Sequence, residues 1–123
     1  MTMNAVGWFE IYVQDMDRAK AFYEKTLQVE LGSIEAPGID MWAFPMADGA
    51  PGAAGALVRM DGFASGGNSV LVYFNCEDCA VEAARAVEAG GKVQQEKMSI
   101  GQYGNIALVI DTEGNMVGLH SMQ

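Results

Sequence analysis

The sequence predicts an α+β fold made of two tandem βαβββ modules. A strand, a helix and three further strands can be traced through residues 4–60 and again through 69–123. The stretch between them, 61–68, has the glycine-rich composition of a linker. The halves also match at an offset of 63 residues, which aligns Asp15 with Asp78. Asp78 is a predicted helix N-cap, and Asp15 or Asp17 is the candidate N-cap of the first helix. We therefore expect one domain with an internal repeat.

The first module begins with a predicted strand over residues 8–13, whose alternate side chains separate into two sets. The aliphatic-rich set should lie under a helix, and the other should face a cup or a partner. The first set is Phe9, Ile11 and Val13, and the second is Trp8, Glu10 and Tyr12. After Asp15 an apolar stripe at helical spacing predicts a helix. Three strands then follow over 29–34, 39–44 and 56–60.

The second module repeats this order. Its elements are a strand over 70–76, a helix over 79–89 that ends at two glycines, and strands over 92–98, 105–110 and 116–122. Turn residues at 112–115 join the last two strands in a hairpin. Cys76 and Cys79 fall on Val13 and Met16 in the repeat, so we expect them to be structural rather than zinc-binding or redox-active.

Charge and composition exclude several classes of protein. The formal charge of −9 disfavours nucleic-acid binding, although it would suit a cationic ligand. We expect no membrane span, because the chain lacks an apolar run of about 20 residues. The first residues do not resemble a signal peptide, and two cysteines do not form a disulfide framework, so we expect a cytoplasmic protein.

Two phrases resemble the vicinal oxygen chelate superfamily of glyoxalase I, extradiol dioxygenases and bleomycin-resistance proteins. One is Val-Gln-Asp-Met-Asp-Arg-Ala-Lys-Ala-Phe-Tyr at 13–23, and the other is Asp-Thr-Glu-Gly-Asn-Met-Val-Gly-Leu-His at 111–120. The resemblance implies a deeply curved, cup-shaped mixed sheet. It also implies that a homodimer often completes the cup, and we expect a homodimer here.

In the metal enzymes of that superfamily, His or Glu side chains at four strand positions hold a divalent ion. The matching positions here are Trp8, Leu71, Gly118 and the stretch 55–58, which contains neither residue type. Divalent cations require nitrogen, oxygen or sulfur donors. The sequence therefore predicts that the usual metal site is absent and that no cofactor is needed.

Two side chains could still carry acid–base chemistry. His120, the single histidine, lies two residues beyond Gly118 and so on the same strand face. It could be a proton donor, a base or a displaced metal ligand, or simply a residue at the rim of the cup. Glu10 lies mid-strand between Trp8 and Tyr12, where it could be a base or part of a structural hydrogen-bond network.

Aromatic and amide side chains predict the lining of the cup. The candidate ligand-binding residues are Trp8, Tyr12, Trp42, Phe44, Tyr73 and Asn75. Ligand sites are mostly apolar with a few placed polar groups, but each of these aromatic residues could also belong to the core or a dimer interface.

The leading hypothesis is a protein that binds a small molecule in an aromatic cup without the standard metal. The net charge of −9 would suit a cationic ligand. One alternative is a metal-dependent lyase, isomerase or dioxygenase that uses altered ligands, with His120 and Glu10 as donors. Another is an interaction module whose cup is packed shut.

Overall fold

A computed structural model describes residue 4 and residues 6–123 of the chain. The first module contains β1 (Trp8–Tyr12), α1 (Met16–Leu27), β2 (Gly32–Ala36), β3 (Ile39–Ala43) and β4 (Ala54–Arg59). The second contains β5 (Tyr73–Asn75), α2 (Cys79–Glu88), β6 (Lys92–Ser99), β7 (Asn105–Ile110) and β8 (Met116–Ser121). A short 3-10 turn, Gly101–Tyr103, precedes β7. The predicted βαβββ order is confirmed in both halves.

Each module forms a mixed four-stranded sheet with the same topology. The strand order is β1-β4-β3-β2 in the first sheet and β5-β8-β7-β6 in the second. In each sheet the first and last strands of the module pair in parallel, β1 with β4 and β5 with β8. All other neighbouring strands are antiparallel. Within the described part of the chain, neither helix has the length and apolar character needed to cross a bilayer.

One hydrophobic core unites the two modules. It combines side chains of α1 and β4, such as Phe22 and Leu57, with side chains of α2 and β7, such as Ala86 and Val109. Asp15, rather than the alternative Asp17, and the predicted Asp78 cap the two helices by accepting hydrogen bonds from backbone N–H groups. The helices thus cover one face of both sheets, and the opposite faces remain available for a site.

The turn between β7 and β8 is hydrogen-bonded to the first module. The Tyr23 hydroxyl donates to Asp111 Oδ2 over 2.6 Å, and both groups are buried. Asn115 Nδ2 donates to the backbone carbonyl of Tyr12 over 2.9 Å. The Arg18 guanidinium donates twice to Glu113. These contacts fix the end of β1, and with it the side chains that β1 presents.

The second module departs from prediction in its first strand. Only Tyr73–Asn75 pairs as a strand, although we predicted one over 70–76. The backbone N–H of Gly118 still bonds to the carbonyl of Val72 over 2.8 Å. The preceding residues form a loop, in which Asn68 exchanges side-chain hydrogen bonds with the backbone of Met116. This loop runs beside β1 and becomes part of the site described next.

Candidate functional site

Glu10 lies at the centre of a polar and aromatic cluster on β1. Because Trp8, Glu10 and Tyr12 alternate along the strand, they share the face opposite the helices. The Trp8 indole N–H donates to Glu10 Oε2 over 3.2 Å, and the Tyr12 hydroxyl donates to Glu10 Oε1 over 2.8 Å. The carboxylate is exposed but held in place by two neutral donors.

The Tyr12 side chain is held on both sides. The hydrogen bond to Glu10, together with burial and the nearby negative charge, raises the pKa of the Tyr12 hydroxyl above its ordinary value. Its ring stacks on Phe63, with ring centroids 5.1 Å apart and planes at 19°. Tyr12 is therefore a neutral donor at physiological pH, and it orients the Glu10 carboxylate rather than competing with it for a proton.

Two cavities meet at Glu10. The larger, about 610 Å³, lies between β1 and the segment 70–75 and is lined by Trp8, Glu10, Tyr73 and Asn75 among others. The smaller, about 210 Å³, is lined by Glu10, Tyr12 and polar loop residues that include Asn68. We refer to the two cavities together as the β1 groove. Four of the six side chains that the sequence predicts to line the cup meet Glu10 here: Trp8, Tyr12, Tyr73 and Asn75.

Trp42 and Phe44, also predicted to line the cup, lie outside the β1 groove. Phe44 is buried in the core, with its ring centroid 5.4 Å from that of Phe74. Trp42 packs against the same core, and Lys20 Nζ lies 3.3 Å from its ring centroid. In β3 both sets of alternate residues carry apolar side chains, so the sequence did not reveal which set faces the helices.

His120 lies on the predicted strand face but does not line the β1 groove. It pairs with Asn75 across the parallel strands β5 and β8. Its Nε2 atom is 2.6 Å from the backbone carbonyl of Tyr103, so the imidazole donates Nε2–H to that oxygen. His120 therefore holds the loop before β7, and the described contacts give it no partnership with Glu10.

The positions of the usual metal ligands hold no suitable donors. Gly118 on β8 pairs with Tyr73, and a Cβ atom at Gly118 would overlap the Tyr73 ring. The place where a metal-binding glutamate would begin is thus covered by an aromatic side chain. Among residue 4 and residues 6–123, no group of three or more His, Cys, Asp or Glu side chains could hold a metal ion. The described residues do not fit the divalent ion of the metal enzymes.

The cysteines do not supply a nucleophile. Burial, with the nearby Glu82 charge, raises the pKa of the Cys76 thiol to about 12, so it remains protonated at neutral pH. Cys79 is fully buried at the start of α2. Both are free thiols in the structure.

Sequence reasoning missed the contribution of the linker. Phe63 stacks on Tyr12, and Asn68 lines the smaller cavity, although 61–68 was interpreted only as a connection between modules. The one available signal was an aromatic residue within an otherwise small and polar loop. Such a residue is costly to expose without a packing partner.

The comparisons with known proteins agree with the fold. A family model described as Glyoxalase/Bleomycin resistance protein/Dioxygenase superfamily matches residues 5–119. A glyoxalase I mutant from Zea mays is similar in structure, with a TM-score of 0.75 and 23% identity. That match covers 94% of this chain but 45% of the maize chain, so the chain spans about half the length of that relative.

Two other solved structures match over nearly their whole length. TnmS3, an antibiotic binding protein from Streptomyces sp. CB03234, has a TM-score of 0.67 and 26% identity, with 98% of each chain covered. A glyoxalase/bleomycin resistance protein from Albidiferax ferrireducens T118 has a TM-score of 0.66 and 18% identity, covering 96% of this chain and 98% of that one. A search of curated proteins found no match. The chain belongs to the glyoxalase/bleomycin resistance protein/dioxygenase superfamily.

Proposed function

We propose that this protein binds a small organic cation in the β1 groove and does so without a catalytic metal. The observation that carries the proposal is the Glu10 carboxylate, which the Trp8 indole and the Tyr12 hydroxyl hold in place where the two cavities meet. A fixed, exposed negative charge beside apolar walls suits a ligand with one positive group and an apolar body.

The dimensions and chemistry of the groove support this ligand class. A cavity of about 610 Å³ is within the range of about 300–1,000 Å³ typical of sites for small molecules. The exposed rings of Trp8 and Tyr73 offer faces that attract cations. Asn75 provides a hydrogen-bonding amide in the wall of the larger cavity. The overall charge of −9 adds a long-range attraction for cations.

Binding is favoured over catalysis by the placement of the two candidate catalytic residues. Glu10 and His120 do not line a common cavity, and the His120 Nε2–H is used by the Tyr103 carbonyl. A reaction that used one of them as acid and the other as base would need both groups within reach of one substrate. The likeness to TnmS3, an antibiotic binding protein, also supports a binding function.

We further propose that the protein acts in the cytoplasm as a homodimer. Apolar side chains are exposed along the groove, including Val6 at 61%, Val70 at 70% and Tyr73 at 45%. A second copy of the chain would cover such a surface. Sedimentation equilibrium tests this part of the proposal, and a monomer at micromolar concentration would contradict it.

The ligand class can be tested with a charged and a neutral probe of similar shape. The aromatic cation 9-aminoacridine and its neutral relative acridone would be titrated against the protein, with fluorescence polarisation as the readout. Glu10→Gln removes the charge at the groove, and Glu35→Gln removes one from the exposed edge strand β2 as a matched control. We expect saturable binding of the cation that weakens about tenfold or more in Glu10→Gln and is unchanged in Glu35→Gln.

Two results would contradict the proposal. If acridone bound as tightly as the cation, the ligand class would be wrong. If Glu10→Gln and Glu35→Gln lowered the affinity equally, the protein would be attracting cations through its net charge rather than at the β1 groove.

A further inference from the structure

Two aromatic rings are accessible in the larger cavity of the β1 groove. Tyr73 lies over Gly118 of the neighbouring strand, at a place where any Cβ atom would collide with the ring. The glycine therefore allows the Tyr73 ring to lie against β8, and the side chain is still 45% exposed. Trp8 of β1 lines the same cavity and is 40% exposed. A ligand in this cavity can thus contact both rings.

The larger cavity also carries a single charge. Among the described residues that line it, only Glu10 is ionised at neutral pH. Apart from Glu10 and Asn75, the side chains of these residues are apolar or aromatic. A cation that enters the cavity therefore meets one carboxylate and two aromatic rings, and none of the lining residues repels it.

The hydrogen-bonding capacity of Glu10 is already partly used. Oε2 accepts a hydrogen bond from the Trp8 indole, and Oε1 accepts one from the Tyr12 hydroxyl, which together occupy about half of the acceptor positions of the carboxylate. A primary ammonium group, with three N–H donors, would exchange bonds with water for few side-chain acceptors in this cavity. A quaternary ammonium group donates no hydrogen bonds and loses none, and aromatic faces attract it.

We propose that the ligand of the larger cavity carries its positive charge on a fully alkylated nitrogen, as a quaternary ammonium group that contacts the rings of Trp8 and Tyr73 and is neutralised by Glu10. This inference rests on the function proposed for the β1 groove and specifies its ligand class. Charge selects for a cation through Glu10, and the two rings, together with the scarcity of free acceptors, select against N–H donors.

The test compares two cations that differ only in the methylation of their nitrogen. Benzyltrimethylammonium and benzylammonium carry the same ring and the same charge at neutral pH, and benzyl alcohol is a neutral counterpart. Each is titrated into ¹⁵N-labelled full-length protein while the indole N–H signals are recorded. The chain has two tryptophans. Trp8 reports on the groove, and Trp42, which lies outside it, is an internal control.

The quaternary ion should produce saturable shifts of the Trp8 indole signal and bind about fivefold or more tightly than benzylammonium. Benzyl alcohol should bind more weakly than either cation. Tyr73→Leu removes one ring but keeps the wall apolar, and we expect it to weaken binding of the quaternary ion about fivefold. Tyr103→Leu, at an exposed tyrosine that lines neither cavity, is the matched control and should leave the affinity unchanged.

The inference is overturned if benzylammonium binds as tightly as the quaternary ion, or if Tyr73→Leu and Tyr103→Leu have equal effects. In both cases the function proposed for the groove stands, provided that Glu10→Gln still weakens binding of both cations. If Glu10→Gln leaves both affinities unchanged, that function is wrong as well. If neither cation gives saturable shifts, this inference is overturned and the acridine titration decides the function. Should Tyr73→Leu not fold, the two cations compared on the wild type give the result.

Discussion

Arg18 and Glu113 form a bidentate ion pair between residues 95 positions apart in the sequence. The Nε–Oε2 distance is 2.7 Å and the Nη2–Oε1 distance is 3.0 Å. The Glu113 side chain is fully buried, whereas that of Arg18 is half exposed. The pair joins the two sequence phrases that resemble the superfamily, so in this chain those phrases act as a structural joint between modules.

Removing the carboxylate from this joint should destabilise the whole domain. In Glu113→Ala the Arg18 guanidinium and the backbone N–H groups of Gln14 and Asp15 lose their acceptor. We expect the free energy of unfolding to fall by about 3 kcal/mol, because two backbone N–H groups lose a charged acceptor and the half-exposed Arg18 loses its partner. Urea denaturation measures the change, with Glu30→Ala, at an exposed position, as the control. Equal effects of the two substitutions would contradict this role.

The same residue should make stability depend on pH in the acid range. Burial alone would raise the pKa of Glu113, but the bonds from Arg18 and two backbone N–H groups outweigh it and lower the pKa from 4.5 to about 2. A carboxyl with a lowered pKa in the folded state stabilises it above pH 4.5, and this contribution is lost as the pH falls towards 2. The loss amounts to about 3 kcal/mol.

Urea denaturation between neutral pH and about pH 2 measures that loss. Glu113→Gln should be less stable than the wild type at neutral pH, and the difference should shrink as the pH falls below 4.5. A difference that stays constant over this range would show that Glu113 is not the titrating group.

A third prediction concerns the covered strand position at Gly118. Because a Cβ atom there would overlap the Tyr73 ring, Gly118→Ala should cost about 1–3 kcal/mol of stability. The cost should largely disappear when Tyr73→Ala is introduced as well. A double-mutant cycle by thermal unfolding measures the coupling between the two positions. Additive effects would mean that Tyr73 does not cover Gly118 in solution.

Divalent metals provide a fourth test. We predict that Ni²⁺, Zn²⁺, Fe²⁺ and Mn²⁺ leave the melting temperature unchanged, because Trp8, Leu71 and Gly118 offer no donor atoms. A metal present at about 100 times its dissociation constant would add about 2.7 kcal/mol to the folded state, which a thermal-shift assay detects. Stabilisation that disappears in His120→Ala would instead favour the metal-dependent enzyme.

The repeat made most of the fold predictable, because the same pattern of elements and N-cap residues occurs twice. The faces of individual strands were predictable only where the two sets of alternate residues differ. On β1 the aromatic and polar set with Trp8 and Glu10 differs clearly from the aliphatic set with Ile11. The prediction that the Ile11 set faces the helices is confirmed. On β3, Trp42 follows Met41 with little contrast in polarity, so the sequence did not indicate that Trp42 packs against the core.

The candidate site depended on contacts that no local pattern encodes. The Tyr12 ring stacks on Phe63 of the linker, and Asn115 of the second module bonds to the backbone of Tyr12 only because the two modules pack together. Such contacts join residues far apart in the sequence, so no local sequence pattern indicates them. What the sequence did indicate was the local cluster of Trp8, Glu10 and Tyr12.

The shared core has a consequence for how the chain can be divided. Each half buries apolar side chains of the other, and the closing turn of the second half holds the opening strand and helix of the first. A break within 61–68 should therefore yield two fragments that are unfolded separately and reassemble when mixed. Each module therefore depends on the other for its core, and neither should fold on its own.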